Sequence, residues 1–157
     1  MGEIAAIWIK RFKRGPMDPV AEARLAAGRG LAGNKDQGGK RQVTVIDEAA
    51  WAEACREVGV AVPPTARRAN VMLRGVDLEK SGGKILRLGS CVIRLYAATR
   101  PCERMEEAQA GLRAALGIHW RGGAFGEIVE GGAIRVGDTA ELTDDPVGST
   151  LPLPFSV

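Results

Sequence analysis

Glycine punctuates this chain from end to end, and the apolar runs between the glycines are short. There are 21 glycines in 157 residues. Brief apolar, partly β-branched runs bounded by turn-forming residues predict a β-rich fold with tight turns. The clearest instance occurs twice. Ile85-Leu86-Arg87-Leu88-Gly89-Ser90 is similar to Ala133-Ile134-Arg135-Val136-Gly137-Asp138, and each is followed by another strand-like run, 91–96 and 139–142. Two copies read as two β-turns of one barrel, because a solenoid needs more repeats to bury its faces.

The other elements follow from local pattern. Residues 3–10 and the β-branched run 41–46 read as strands. Residues 19–27 have helix-forming composition, so propensity predicts a helix there. A glycine-rich loop follows from Gly28 to Lys40. Asp47 is a good N-cap for a helix, and Ile46 with Trp51 fits a hydrophobic staple. Trp51, Ala54, Cys55 and Val58 recur at helical spacing on one face, and Gly59 stops the helix. Residues 62–68 read as a loop and 70–74 as a short strand. A second helix is expected over 103–116, with Met105, Leu112 and Leu116 on its apolar side and Gly117 at its end. Strands are expected at 127–130, 133–136 and 139–142.

The sum is one mainly β domain over 1–142, with about seven short strands and two inserted helices. A barrel is the natural solution, since closure removes exposed edges. Residues 143–157 carry three prolines and are expected to form a tail, lying on the surface or partly disordered.

Composition excludes several functions. A hydrophobic content of 45% with 26% charged residues is ordinary for a globular domain. A net charge of +3 is too small to argue for nucleic acid. No stretch approaches the roughly 20 apolar residues of a membrane span. Of the 22 basic residues, 16 are arginine. Arginine's planar fork suits oxyanions, so an anionic ligand is one reading and a compositional bias toward arginine is the other. Cys55, Cys91 and Cys102 form no CxxC pair, which argues against zinc. Their odd number and the absence of a leader-like segment predict a reducing, cytoplasmic setting.

Three places could carry chemistry. Cys102 follows Pro101 and precedes the expected helix, with Arg100 and Arg104 beside it. A helix N-terminus and neighbouring cations favour a thiolate, and Glu103 opposes it. An inert capping cysteine is the alternative. Cys55 and Cys91 read as packing residues. The second place is Arg67-Arg68-Ala69-Asn70, where a strand would put Arg68 and Asn70 on one side, ready to grip a planar ligand, or else form a solvated strand end. The third is Trp120-Arg121-Gly122-Gly123, whose glycines allow close backbone approach and whose arginine could reach an anion. His119, the single histidine, reads as structural or exposed. No triad order, metal-spaced histidines or phosphate-loop spacing is present.

Taken in order, these pieces resemble the MOSC family, the domain found at the C-terminus of molybdenum cofactor sulfurases. Gly30-Leu31-Ala32-Gly33-Asn34-Lys35 is similar to its Gly-Asp-Arg/Lys loop, Arg41-Gln42-Val43-Thr44 to its Arg-x-Val strand, and Arg68-Ala69-Asn70-Val71 to its Arg-x-Asn motif. Gly89-Ser90 matches its strand turn and Pro101-Cys102 its Pro-Cys signature. Arg121-Gly122-Gly123 and the stretch 131–138 resemble its closing hairpin. The resemblance spans about residues 4–142. It implies a β-barrel and an extended 19–27, against local propensity.

The resemblance also implies a role for Cys102, as a persulfide carrier or as a ligand of molybdenum. It further implies an arginine-lined site for the anionic pterin of the molybdenum cofactor (molybdopterin), carried over to Lys35, Arg41, Arg68, Asn70, Arg100 and Arg121. Asn34 stands where the family usually has an acidic residue, which alters charge and hydrogen bonding in that loop. The larger molybdenum enzymes have an extra N-terminal barrel domain without counterpart here, so a closed cofactor site would need a second subunit or partner.

Three functions are therefore expected to compete. A sulfur carrier would load Cys102 from a pyridoxal-phosphate cysteine desulfurase and serve a molybdenum enzyme or another metal–sulfur centre. A molybdenum cofactor-dependent reductase of N-hydroxylated compounds would draw electrons from a separate electron-transfer protein, with Cys102 on the metal. A non-catalytic interaction barrel would use neither. Nucleic acid and membrane are not expected partners.

Overall fold

The computed structural model describes residues 2–144. In chain order these form β1 (Gly2–Lys10), β2 (Met17–Val20), β3 (Glu22–Ala26), β4 (Gly30–Leu31), β5 (Val43–Asp47), α1 (Glu48–Val58) and a 3₁₀ turn (Pro64–Arg67). There follow β6 (Val71–Arg74), β7 (Ile85–Leu88), β8 (Cys91–Ala98), α2 (Glu103–Ala108), α3 (Leu112–Leu116), β9 (Ala124–Glu130), β10 (Gly132–Arg135) and β11 (Thr139–Thr143).

Seven strands close a barrel in the order β1-β6-β5-β9-β8-β7-β11, and β11 returns to β1 with Glu3 opposite Thr139. The neighbours are antiparallel except β5 and β6. A parallel pair needs a crossover, and α1 supplies it. β2 adds to the outside of β1, and β10, β3 and β4 form a separate small sheet. The interior is filled by aliphatic side chains from facing strands, among them Ile4, Val45, Leu73, Leu86, Ile93 and Ile128. A second cluster, built on Trp51, Ala54, Met105, Leu112 and Leu116, holds the three helices together beside the barrel.

The β-barrel expectation is met, and several local expectations are corrected. Residues 22–26 are strand β3, extended as the family resemblance implied and against the helical propensity: Ala23 and Leu25 alternate inward and pair with β10 and β4. Cross-strand pairing and burial override a weak helical preference. The helix expected over 103–116 is two helices. Gln109 is extended at φ −161° and Gly111 adopts a left-handed φ of 86°, which ends α2 and restarts the chain so that Leu112 is fully buried. The twin segments also differ. β7 pairs with β8 as a hairpin of the barrel, whereas β10 pairs with β3 and β11 with β7. Both turns do use a left-handed glycine, Gly89 and Gly137. Ile46 and Trp51 bury in different clusters instead of stapling to each other.

The α1 boundaries are as expected. Asp47 accepts from the Ala49 N–H at 3.0 Å, and Gly59, left-handed at φ 77°, donates to the Cys55 and Arg56 carbonyls. Strand β11 runs one residue into the expected tail, and Asp144 pairs with Lys84. The remainder of the tail lies outside the described residues. Among the described residues no helix is long and apolar enough to cross a membrane.

Candidate functional site

The β1–β6–β5–β9–β8 arc leaves a cavity of about 410 Å³ at one end of the barrel, a size suited to a small ligand. Its wall comes from the end of β1 (Lys10), the approach to β5 (Arg41, Gln42) and the approach to β6 (Arg67, Arg68, Asn70). Thr99 after β8, Cys102 and Arg104 at the start of α2, and Gly122 before β9 complete it. Segments far apart in sequence meet here because strand ends and the connections that leave them, including the 3₁₀ turn and the start of α2, converge on one rim.

Arg67 organises the side that carries Cys102. Its guanidinium is buried and donates from Nε to the Gly122 carbonyl at 2.8 Å, and from Nη2 to the carbonyls of Thr99 at 3.3 Å and Arg100 at 3.4 Å. One rigid fork therefore ties the β8–α2 connection to the β9 approach. Burial lowers the Arg67 pKa, the Cys102 sulfur opposes that shift, and Arg41 adds to it. All three groups are thus within electrostatic reach. Gly123 permits the close approach behind this tie. Its φ is 93°, and an added Cβ would lie 2.1 Å from the Val45 carbonyl oxygen.

Cys102 is exposed and caps α2 in an extended conformation without a side-chain capping hydrogen bond, and its sulfur has no hydrogen-bond partner among the described residues. Cys91 is fully buried, and burial pushes its thiol pKa up. Cys55 is half-buried against the Val62 carbonyl. Near Cys102, Thr99 lines the cavity, and its buried hydroxyl has no hydrogen-bond partner among the described residues. A buried polar atom left unpaired is costly and calls for a ligand or water.

The opposite side is a neutral hydrogen-bonded hub. Asn34 Oδ1 accepts from the Lys10 backbone N–H at 2.9 Å and from Asn70 Nδ2 at 3.3 Å, while Asn34 Nδ2 donates to the Asp36 carbonyl at 3.4 Å. Asn70 Oδ1 in turn accepts from the Thr44 N–H at 3.2 Å. Asn34 uses both ends of its amide, which explains how an amide serves where an acidic residue is usual: a carboxylate could not donate to Asp36. Lys10 Nζ lies 2.6 Å from the Asp36 carboxylate. At the cavity wall, the Arg41 guanidinium sits 4.8 Å above the Phe125 ring centroid, a cation–π contact that fixes its direction.

Of the residues singled out from sequence, Arg41, Arg68, Asn70 and Cys102 line the cavity. The other three do not. Lys35 is exposed outside it, and Arg100 is exposed on the far side of the Cys102 segment, where it lines two other depressions. Arg121 is buried and structural, donating to the Ala115 carbonyl at 3.2 Å and pairing with Glu57 at 2.9 Å. Arg68 reaches the cavity by a different route from the one expected. It is not in a strand but closes the 3₁₀ turn at a left-handed φ of 64°, and Nη2 donates to the Gly15 carbonyl. The site also contains Lys10, Asp36 and Thr99, which no motif marks, and Arg67, whose neighbour looked the better candidate. Its pairing with Arg68 was the available signal.

No curated protein sequence matches this chain. Among solved structures, the YuaD protein from Bacillus subtilis superposes with a TM-score of 0.74 at 19% identity, over 90% of this chain and 96% of that one. YiiM from Geobacillus stearothermophilus gives 0.73 at 17% identity, over 94% and 78% of the two chains. YiiM from Escherichia coli gives 0.66 at 17%, over 97% and 74%. These likenesses show the fold. The profile of the MOSC domain matches residues 29–141, which include Arg41, Arg67, Arg68, Asn70 and Cys102 on the cavity wall, and the chain belongs to the MOSC domain family.

Proposed function

We propose that this protein is a sulfur carrier associated with molybdenum cofactor chemistry, with Cys102 as the sulfur-bearing residue. The observation that carries this reading is an exposed, uncommitted thiol on the wall of a cavity that also holds Lys10, Arg41, Arg67, Arg68 and Arg104. The Cys102 thiolate attacks the terminal sulfur of a persulfide presented by a cysteine desulfurase. A new S–S bond forms, the donor's S–S bond breaks, and the donor cysteine leaves as its thiolate. The terminal sulfur is then anionic, and the cationic wall holds it for an acceptor. No net oxidation or reduction is needed.

The residues present also fit the molybdenum cofactor. Cys102 is a soft donor, the arginines match an anionic pterin phosphate, and the Thr99 hydroxyl offers an unused hydrogen-bonding group. When bound, the cofactor supplies oxygen-atom and electron transfer at its metal. Arg41, Arg68 and Asn70 would hold its anionic and polar parts, and Arg67 would keep the Cys102 segment in place. That fit supports the second reading, a reductase of N-hydroxylated compounds fed by an electron-transfer protein.

The test uses wild type and Cys102→Ser side by side. Each is incubated with a desulfurase and cysteine, and intact mass is measured. One added sulfur on wild type alone supports the carrier, and no transfer to either sinks it. Both proteins are also purified from a host that makes molybdenum cofactor. Stoichiometric molybdenum and pterin, lost in Cys102→Ser, would favour the reductase.

A further inference from the structure

Five cationic side chains line the cavity, Lys10, Arg41, Arg67, Arg68 and Arg104, and Asp36 is its one carboxylate among the described residues. That carboxylate is not spread among the cations. It clamps Lys10 at 2.6 Å, and none of the four arginines meets a carboxylate among the described residues. The two partners differ in exposure. Lys10 is 22% exposed at its side chain and Asp36 is 63% exposed. Moving Asp36 away returns a carboxylate to water at little cost, whereas Lys10 stays at the cavity wall and needs another anion. The Asp36 backbone stays put meanwhile, because Asn34 Nδ2 binds its carbonyl.

We propose that Asp36 is a displaceable internal counter-ion that makes this cavity select doubly charged over singly charged anionic groups. Without a bound anion, Asp36 neutralises Lys10. A monoanion is satisfied by the arginines and leaves the Lys10–Asp36 pair intact. A dianion, such as a phosphate monoester or a sulfate, attracts Lys10 strongly enough to take it from Asp36 and so gains a fifth cation. The inference rests on the cavity as an anion site, as in the proposed function, but not on any chemistry at Cys102.

The experiment is calorimetric titration of the full chain with sulfate as dianion and nitrate as monoanion, at constant ionic strength and neutral pH. Wild type should bind sulfate more tightly. Asp36→Asn frees Lys10 for both ions, so nitrate affinity should rise about two- to fivefold, sulfate affinity less, and the sulfate-to-nitrate preference should fall. A fixed, undisplaced charge predicts the reverse, because its removal helps a dianion more than a monoanion. A preference that rises or stays constant therefore overturns the proposal. Lys10→Met combined with Asp36→Asn removes the pair without leaving a lone carboxylate, so it should weaken sulfate and leave nitrate near wild type; equal losses for both ions would also overturn the proposal. Arg100→Ala, outside the cavity, is run in parallel and should match wild type; no titration involves sulfur transfer, so a failed transfer leaves these affinities readable. Absence of sulfate binding to wild type overturns both this inference and the anion site beneath it.

Discussion

Asn70 Nδ2 donates to Asn34 Oδ1 at 3.3 Å, and through that single bond the approach to β6 is joined to the loop that follows β4. Both residues are buried. Asn34→Asp would keep the acceptor for Lys10 and Asn70 but lose the donor to the Asp36 carbonyl. It would also bury a negative charge beside an oxygen. The substitution should destabilise the protein by about 1–3 kcal/mol, read by urea denaturation. Unchanged stability would mean that the carboxylate is readily accommodated and that the amide is not required.

The Arg67 fork predicts a difference between geometry and charge. Arg67→Lys keeps a cation but cannot donate to the Gly122, Thr99 and Arg100 carbonyls together. Stability should fall by about 1–3 kcal/mol, and amide exchange should accelerate at residues 99–102. If Lys preserves both, charge alone holds this segment.

The three cysteines should label in an order set by exposure. Cys102 should react with a thiol reagent in the native state, and Cys91 only on unfolding. Cys91 also predicts a pH effect. Its folded pKa lies above the ordinary 9.0, because burial penalises the thiolate and Asp138 adds to the penalty. The folded state therefore favours the neutral thiol. That contribution is fully present below the unfolded pKa and is lost as pH rises through 9 toward the folded value. Cys91→Ala should flatten the decline of stability above pH 9, and an unchanged slope would assign the decline to other groups.

Arg121 and Arg100 should not affect anion binding. Arg121→Ala breaks a buried contact to Ala115 and Glu57 and should cost about 2 kcal/mol of stability. The folded protein should keep its sulfate affinity, as should Arg100→Ala. Arg41→Ala and Arg104→Ala should weaken sulfate without a comparable loss of stability. Calorimetry on the four variants checks the division, and a loss with Arg121→Ala in folded protein would place that side chain at the ligand.

The sequence by itself determined the β-rich character, the α1 caps and the turns at Gly89 and Gly137, because each depends on a few adjacent residues and their backbone conformations. It also marked Cys102, Arg41, Arg68 and Asn70, through motifs that a family likeness tied together. Tertiary structure decided the rest. Residues 22–26 are a strand because β10 and β4 pair with it, and the helix after Cys102 breaks at Gly111 so that Leu112 can be buried. Lys10, Asp36, Arg67 and Thr99 share one cavity only because barrel closure brings distant strand ends to the same rim. Arg121 lies beside a promising glycine pair in sequence, yet its guanidinium turns to Ala115 and Glu57. Spacing along a chain reports which residues could point together; the free energy of burying and pairing each side chain decides which of them do.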